Sequence, residues 1–138
     1  MMSQRPYTEV LERLKRVGLR PTRQRLALAR LLFDGPDRHI TAEQLHGEAQ
    51  GASIPVSLAT VYNTLHQFTD AGLLREVVAE PGRSYFDTNT DAHHHFFHVG
   101  RGELEDIPAA AITMSALPQV PVGTTIERVD VVIRLKAS

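Results

Sequence analysis

The residues with the clearest capacity for chemistry are histidines, four of which fall within six positions. The chain has seven histidines, and His93, His94, His95 and His98 form this cluster. In an extended segment His93 and His95 point to one side and His94 to the other, because successive side chains alternate. Two imidazoles on one side of a strand are a favourable start for a first-row metal site.

Completing such a site requires one or two further donors. Asp87 lies just upstream of the cluster, and His39 lies on a loop before a predicted helix. Both would converge with His93 and His95 if the segment around Asp87 packs beside that loop. Three histidines and one aspartate suit Fe²⁺, Zn²⁺ or Mn²⁺, and the donors alone do not choose among these ions. The predicted divalent-metal ligands are His39, Asp87, His93 and His95.

Haem is an alternative ligand for the same cluster. Neutral imidazole is a common axial ligand of haem iron, which makes His93, His94 and His95 haem candidates. Phe96 and Phe97 offer apolar contact to a porphyrin. His93 and His95 share one side of the strand, so each would provide at most one axial bond to a given haem. Metal and haem would compete for the same nitrogen atoms.

The composition limits the other functions open to the chain. Its 138 residues suffice for one domain or two small ones. The absence of cysteine excludes disulfides, thiol catalysis and cysteine-ligated structural zinc. No apolar stretch reaches the ~20 residues of a membrane helix, and residues 1–10 lack the apolar core of a secretory signal. The expected location is therefore the cytoplasm, with no membrane partner.

Basic side chains are concentrated at the start of the chain. Residues 1–30 hold eight basic residues against two acidic ones, whereas residues 31–98 hold three against nine. The net charge of −1 hides this asymmetry. A basic segment on an otherwise neutral protein favours a surface that binds a polyanion. The basic residues are Arg5, Arg13, Lys15, Arg16, Arg20, Arg23, Arg25 and Arg30.

The elements that would position these residues begin with a helical cluster. Apolar residues recur at helical spacing, and Thr22, Thr41 and Ser57 are suited to cap helix N-termini. The period then changes to that of a β-hairpin. Helices followed by a hairpin give the element order of a winged helix, whose last helix enters the DNA major groove. The predicted helices cover residues 7–17, 22–33, 41–49 and 58–70, and the predicted strands cover 73–79 and 83–88.

The last of these helices carries polar side chains that suit DNA contacts. Asparagine can bond adenine through two hydrogen bonds, and serine or threonine hydroxyls can meet phosphates or base edges. Arg83, at the tip of the hairpin, would lie within reach of a phosphate. The candidate DNA-binding residues at this helix are Ser57, Thr60, Tyr62 and Asn63.

A second, smaller unit is expected from about Asp91. It is too short to bury enough surface for stability on its own. Sharing a core with a second copy would solve this, and a homodimer, or a higher oligomer built from it, suits a two-fold symmetric DNA site. The predicted elements are strands over residues 95–99 and 103–107, a helix over 109–117, a linker over 118–121 and a strand over 126–135.

The expected fold class is therefore α+β. A winged-helix DNA-binding domain would cover residues 1–89, and a small α/β dimerisation domain would cover residues 90–138.

Several segments in order resemble the ferric uptake regulator (Fur) family. They are GLRPTRQR at residues 18–25, HITAEQL at 39–45, LATVYNTL at 58–65 and DAGL at 70–73. Within the family the chain is most similar to the iron response regulators (Irr) of rhizobia and related α-proteobacteria. That narrower similarity is carried by PVSLATVYNTL at 55–65, SYFDTN at 84–89 and the triplet at 93–95.

The resemblance implies a winged-helix head and an α/β dimerisation domain. It implies that Arg20 enters the DNA minor groove, with Arg25 of the same motif as a further DNA-binding candidate. It places Tyr62 on a thymine methyl group or a phosphate, and Asn63 beside it on the recognition helix. The four predicted metal ligands correspond to the family's regulatory site, with Asp87 in place of the more usual glutamate.

The chain departs from the family's pattern at its cysteines. The pairs that hold structural zinc in many relatives are absent, and His98 and Arg101 stand where the first pair would be. The additional metal site of the dimerisation domain retains only His94. The Cys-Pro haem motif of some Irr proteins is also missing, so haem sensing would depend on residues 93–95.

The predicted function is an iron- or haem-responsive transcription regulator, chiefly a repressor, that binds double-stranded operator DNA as a dimer. The resemblance to Irr implies activity when iron is scarce, impairment by haem, and control of haem synthesis and iron homeostasis genes. A Fur-like repressor activated by Mn²⁺, Zn²⁺ or Fe²⁺ is the alternative. An enzyme is disfavoured, because no second acid–base pair or nucleophile motif accompanies the metal site.

Overall fold

The computed structural model describes residues 7–138, which form two compact units. The first unit ends at Thr90, and the second runs from Asp91 to Ser138. Residues 1–6, with Arg5 of the basic segment and the start of the first predicted domain, lie outside the described residues. From residue 7 onward, no helix combines the length and apolar content needed to cross a membrane.

Four helices form one layer of the first unit, and local signals determine where three of them begin. The side chains of Thr22, Thr41 and Ser57 each accept a hydrogen bond from a backbone N–H in the first turn of the helix that follows. These contacts confirm the predicted N-caps. At Thr41 the side chain of Gln44 also accepts from the Thr41 backbone N–H, at 2.9 Å, which completes a capping box. The helices are α1 (Thr8–Arg16), α2 (Arg23–Phe33), α3 (Ala42–Gly51) and α4 (Leu58–Asp70).

Apolar side chains from all four helices close the core of this unit. Leu14, Leu28, Leu45 and Leu65, one from each helix, are fully buried. Phe86 joins them from the sheet. Burial of a side chain of this size contributes roughly 1.5–3 kcal/mol. The core therefore fixes α4 on its apolar side and leaves its polar side exposed.

A three-stranded antiparallel sheet in the order β1-β3-β2 completes the first unit. The strands β2 (Arg75–Glu80) and β3 (Arg83–Asp87) form the predicted hairpin, and Gly82 supplies the positive φ of its turn. The edge strand β1 (His39–Ile40) pairs with β3, where the sequence predicted a loop. Two residues carry too little alternation for a strand to be recognised. Helices followed by this hairpin form the predicted winged helix.

The second unit is built on a three-stranded sheet in the order β5-β4-β6. The central strand β4 (His93–His98) pairs antiparallel with β5 (Glu103–Pro108) and parallel with β6 (Val132–Leu135). The predicted hairpin is confirmed, and β4 begins at His93 rather than at His95. Helices in one unit and this sheet in the other agree with the predicted α+β class.

Two predictions for the second unit are wrong. The helix predicted over residues 109–117 is a single 3₁₀ turn at Ala109–Ala111. Pro118 limits any helix here to the nine residues before it, and the β-branched Ile112 lowers the helix propensity of that stretch. Both effects leave it below the about 12 residues that a helix needs to be stable without packing. The strand predicted over residues 126–135 is limited to β6, because only these four residues pair with β4.

Candidate functional site

The first unit contributes two neighbouring metal-type donors, His39 and Asp87. They lie opposite each other on β1 and β3, and His39 Nε2 is 3.2 Å from Asp87 Oδ2. The backbone N–H of Asn89 donates to Asp87 Oδ1 at 2.9 Å. The Asp87 side chain is only 1 % exposed. A backbone donor thus orients a buried carboxylate towards the imidazole, as the partners of metal ligands do.

The second unit contributes three donors on one side of its sheet. His93 and His95 share one side of β4, as alternation predicts, and their ring centroids are 4.6 Å apart. Asp106 lies opposite His95 on β5. Its Oδ1 is 3.3 Å from His93 Nε2 and 3.5 Å from His95 Nε2. One ligand atom from each of the three residues lies within 4.8 Å of the others.

The hydrogen bonding of His93 prepares its Nε2 for a metal. Nδ1 of His93 lies 2.5 Å from the carbonyl oxygen of Asp91. Because a carbonyl oxygen can only accept, Nδ1 carries the proton, and in the neutral ring Nε2 keeps its lone pair. Metal-binding histidines commonly donate their second N–H to a backbone carbonyl in this way.

Asp106 is the donor that sequence analysis missed. The hairpin itself was predicted, but its register depends on the turn. A four-residue connection over 99–102 pairs His98 with Glu103, which brings Asp106 opposite His95. A connection one residue shorter would put the Asp106 side chain on the other side of the sheet, away from His93 and His95. The length of the turn over 99–102 is therefore the sequence signal that could have identified Asp106 as a fifth donor.

His94 does not join its two neighbours. Its side chain lies on the other side of β4, is buried, and its Nδ1 accepts a hydrogen bond from the Val131 backbone N–H at 3.2 Å. In the neutral ring the proton is then on Nε2, so neither nitrogen offers a lone pair to iron while this bond persists. The haem role of the 93–95 triplet stays a prediction, and this geometry favours His93 and His95 over His94.

Arg25 connects the basic segment to α4. Its Nε and Nη2 donate to Oε1 of Gln67 at 3.2 and 2.9 Å. Its Nη1 donates to the carbonyl of Arg20 at 2.8 Å. All three guanidinium nitrogens of Arg25 therefore donate hydrogen bonds within the chain. Arg20, by contrast, is exposed. Arg25 thus links the backbone of Arg20 to Gln67 on α4.

The predicted DNA-binding residues of α4 fall at its first turns. Ser57 caps the helix, and its hydroxyl donates to Thr60 Oγ1 at 3.0 Å. Tyr62 and Asn63 are exposed on the side away from the core. The exposed faces of these two side chains are accessible to a large ligand lying along α4. Ser57 and Thr60 are bonded to each other. Arg83 in the hairpin is also exposed and lies 3.4 Å from Glu80.

Tyr62 and Glu43 are joined by a short hydrogen bond on the surface of the helical layer. The Tyr62 hydroxyl donates to Glu43 Oε1 at 2.5 Å. This bond lowers the pKa of the Glu43 carboxyl, an effect to which the charge of Arg83 adds, and it raises the pKa of Tyr62. This role of Glu43 could not be predicted from the sequence, because a contact between residues 19 positions apart leaves no local signal.

Replacing Tyr62 with phenylalanine is expected to raise the pKa of Glu43 towards its ordinary value, because the hydroxyl donor is lost. The lowered pKa contributes stability above the unfolded-state pKa, and this stability is lost as pH falls through the folded-state pKa. The variant should therefore lack this contribution near neutral pH and converge with the native chain in acid. A carboxyl NMR titration measures the shift, with Tyr7→Phe as control. An unchanged Glu43 pKa in Tyr62→Phe would contradict the assignment.

The ferric uptake regulator family matches residues 16–133 of the chain. The chain belongs to this family. Members of the Fur family are transcription regulators and not enzymes, in agreement with the predicted class of function. The narrower similarity to Irr stays a prediction.

Individual relatives agree with this assignment. The chain is 38 % identical over 92 residues to the ferric uptake regulation protein of Vibrio cholerae O395, covering 66 % of this chain and 61 % of that protein. It is 34 % identical over 105 residues to the peroxide operon regulator of Bacillus subtilis, covering 76 % and 72 %. The crystal structure of V. cholerae Fur gives a TM-score of 0.71 at 26 % identity, covering 91 % of this chain and 98 % of that one. The sequence match spans about three fifths of the length of the Fur proteins it aligns with.

Proposed function

We propose that this Fur-family chain is a metal-responsive transcription regulator that binds operator DNA as a homodimer in the cytoplasm. The observation that carries the proposal is the pair of oriented donor sets, one of His39 with Asp87 and one of His93 and His95 with Asp106. The first unit would bind DNA through the exposed side of α4 and the loop of Arg20. The second unit would mediate dimerisation.

We further propose that His39, Asp87, His93 and His95 are ligands of a divalent ion, with Asp106 as a further ligand. A first-row divalent ion takes roughly four to six ligands. Nitrogen and oxygen donors without sulfur suit Fe²⁺, Mn²⁺ or Zn²⁺. When bound, the ion would bias the DNA-binding arrangement of the dimer.

Exposed apolar side chains in the second unit favour a second copy as its partner. Leu117, Val122 and Ile126 are 50 %, 104 % and 46 % exposed, in a stretch without helix or strand. A unit with one small sheet buries little apolar surface of its own. A homodimer would cover these side chains and present two copies of α4 to a two-fold symmetric DNA site.

Repression under low iron, relieved by haem, is the finer form of the proposal. Its support is the resemblance to Irr at residues 55–65, 84–89 and 93–95, together with the bond from His93 Nδ1 to the Asp91 carbonyl, which orients Nε2. In this form the chain controls genes for haem synthesis and iron homeostasis, and haem acts by taking His93 and His95. A repressor activated by bound Fe²⁺, Mn²⁺ or Zn²⁺ would use the same donors and fits the family equally well.

Operator affinity measured against metal and haem tests the proposal and separates its two forms. The probe is a duplex that the full chain selects from a random DNA library, and binding is followed by fluorescence anisotropy. For the metal-activated form, adding Mn²⁺ to chelated protein should tighten binding about tenfold or more, within the usual range of such coupling. For the haem form, the metal-free chain should bind and haem should weaken that binding. An operator affinity that changes with neither Mn²⁺ nor haem would refute the proposal of a metal-responsive regulator.

The triple variant His93→Ala/His94→Ala/His95→Ala examines the haem form further. The variant should bind the same duplex with little response to haem, because the imidazole ligands are gone. The single variant His98→Ala is its control, since His98 lies on the same strand and is 2.9 Å from Glu105. Equal haem sensitivity in the triple variant and the native chain would rule out haem sensing by these histidines.

A further inference from the structure

The edge strand β1 that carries His39 is only two residues long, so its own backbone pairing holds it weakly. The adjoining residues Arg38 and Thr88 extend the pairing. The Thr88 N–H donates to the Arg38 carbonyl at 3.0 Å, and the Arg38 N–H donates to Thr88 Oγ1 at 2.8 Å. These bonds flank the His39–Asp87 pair directly. The position of His39 thus depends on how Arg38 is held.

The Arg38 side chain anchors this edge to two helices. Its Nη1 and Nη2 donate to the two carboxylate oxygens of Glu48 on α3, at 2.9 and 2.5 Å. Nη1 also lies 3.3 Å from the carbonyl oxygen of Leu31 on α2, to which it donates. A two-bond arginine–carboxylate contact fixes direction as well as distance. Adjacent strand residues point to opposite sides, so Arg38 reaches the helices while His39 meets Asp87.

We propose that Arg38 and Glu48 are positioning residues for metal binding, which hold β1 where His39 Nε2 can share an ion with Asp87. This inference rests on the proposed role of His39 as a ligand. The two side chains are 34 % and 37 % exposed, so solvent screens part of the attraction, although two-bond geometry strengthens the pair. Its effect should also be felt by the metal, whose affinity is sensitive to partners beyond its direct ligands.

The test compares metal binding in the full chain carrying Arg38→Gln, Glu48→Gln or the exchange Arg38→Glu/Glu48→Arg. The probes are Mn²⁺ affinity by chelator competition and the visible absorption spectrum of bound Co²⁺, which reports ligand geometry. Each single variant should bind Mn²⁺ about tenfold more weakly and alter the Co²⁺ spectrum. The exchange variant should recover most of the native Mn²⁺ affinity and most of the native Co²⁺ spectrum, because it restores an ion pair at the same place.

A second ion pair in the same unit serves as the matched control. Arg30 on α2 and Asp34 at the C-cap of that helix lie 3.2 Å apart, with exposures of 37 % and 46 %. Arg30→Gln and Asp34→Asn should change neither the affinity nor the spectrum. If Arg38→Gln fails to fold, Arg38→Lys keeps the charge without the paired geometry and should show a smaller loss of affinity in the same direction.

His39→Ala separates failure of this inference from failure of the metal proposal. If His39→Ala binds Mn²⁺ as tightly as the native chain, the ligand assignment itself is wrong. If His39→Ala loses affinity while Arg38→Gln and Glu48→Gln retain native affinity and spectrum, the positioning role is overturned. A lower unfolding temperature with unchanged metal binding would also overturn it, since the pair would then be purely structural.

Discussion

Substitution of His95 by alanine should weaken Mn²⁺ binding by more than about 100-fold, since even the outer partners of metal ligands cost about 10–100-fold. His95 is 2 % exposed, and its Nε2 lies 3.5 Å from Asp106 Oδ1. Its removal takes one nitrogen from a set of three donors and leaves the Asp106 carboxylate with one imidazole. Competition against a fluorescent chelator measures the affinity in the full chain.

The control for this experiment is on the same strand. His98→Ala removes an imidazole from the opposite side of β4, where it contacts Glu105, and should leave Mn²⁺ affinity within experimental error. Asp106→Asn keeps the shape of the side chain and removes its charge, so it should also weaken binding. Native affinity in both His95→Ala and Asp106→Asn would show that the second unit supplies no ligand.

Arg20→Ala is expected to weaken operator binding by about 1–3 kcal/mol, which is roughly five- to 150-fold. The exposed Arg20 follows the Gly18 turn, and its carbonyl is held by Arg25 at 2.8 Å. An arginine presented beside α4 can enter the DNA groove and displace a counterion. The slope of log affinity against log salt should therefore fall by about one. Anisotropy titrations at several salt concentrations give both quantities.

An exposed arginine in the other unit provides the comparison. Arg101→Ala removes the same charge where the side chain lies 3.6 Å from Glu103, and it should leave affinity and salt slope nearly unchanged. Arg25→Ala should resemble Arg20→Ala in affinity, because it releases the Arg20 loop from Gln67. Equal losses in Arg20→Ala and Arg101→Ala would indicate a general charge effect and remove Arg20 from the interface.

The parts of the fold that sequence predicted well are those fixed by local chemistry. The caps at Thr22, Thr41 and Ser57 involve only residues a few positions apart, so they could be predicted from the sequence. The helix predicted over 109–117 failed for the opposite reason. Its apolar residues have helical spacing, but most of that stretch is exposed, so no packing compensates for β-branched residues and proline.

The same distinction between local and long-range signals applies to the residues of the candidate site. His93 and His95 follow from the alternation of one strand, and the predicted donors His39 and Asp87 are paired in the structure. Asp106, Glu43 and Glu48 could not be found, because their contacts depend on strand register or on helices packed from distant parts of the chain. Residue type marks a candidate donor, but its partners are set by tertiary structure.

The mixed pairing of β4 has a consequence for the order in which the second unit folds. Its antiparallel contacts with β5 join residues as few as five positions apart, whereas the His94–Val131 bond beside β6 closes a separation of 37. Loop closure costs more entropy as the loop lengthens, and non-local pairing is slow to form. The hairpin that carries His93, His95 and Asp106 should thus assemble early, with β6 docking afterwards. A nascent chain would present three of its proposed ligands before its sheet is finished.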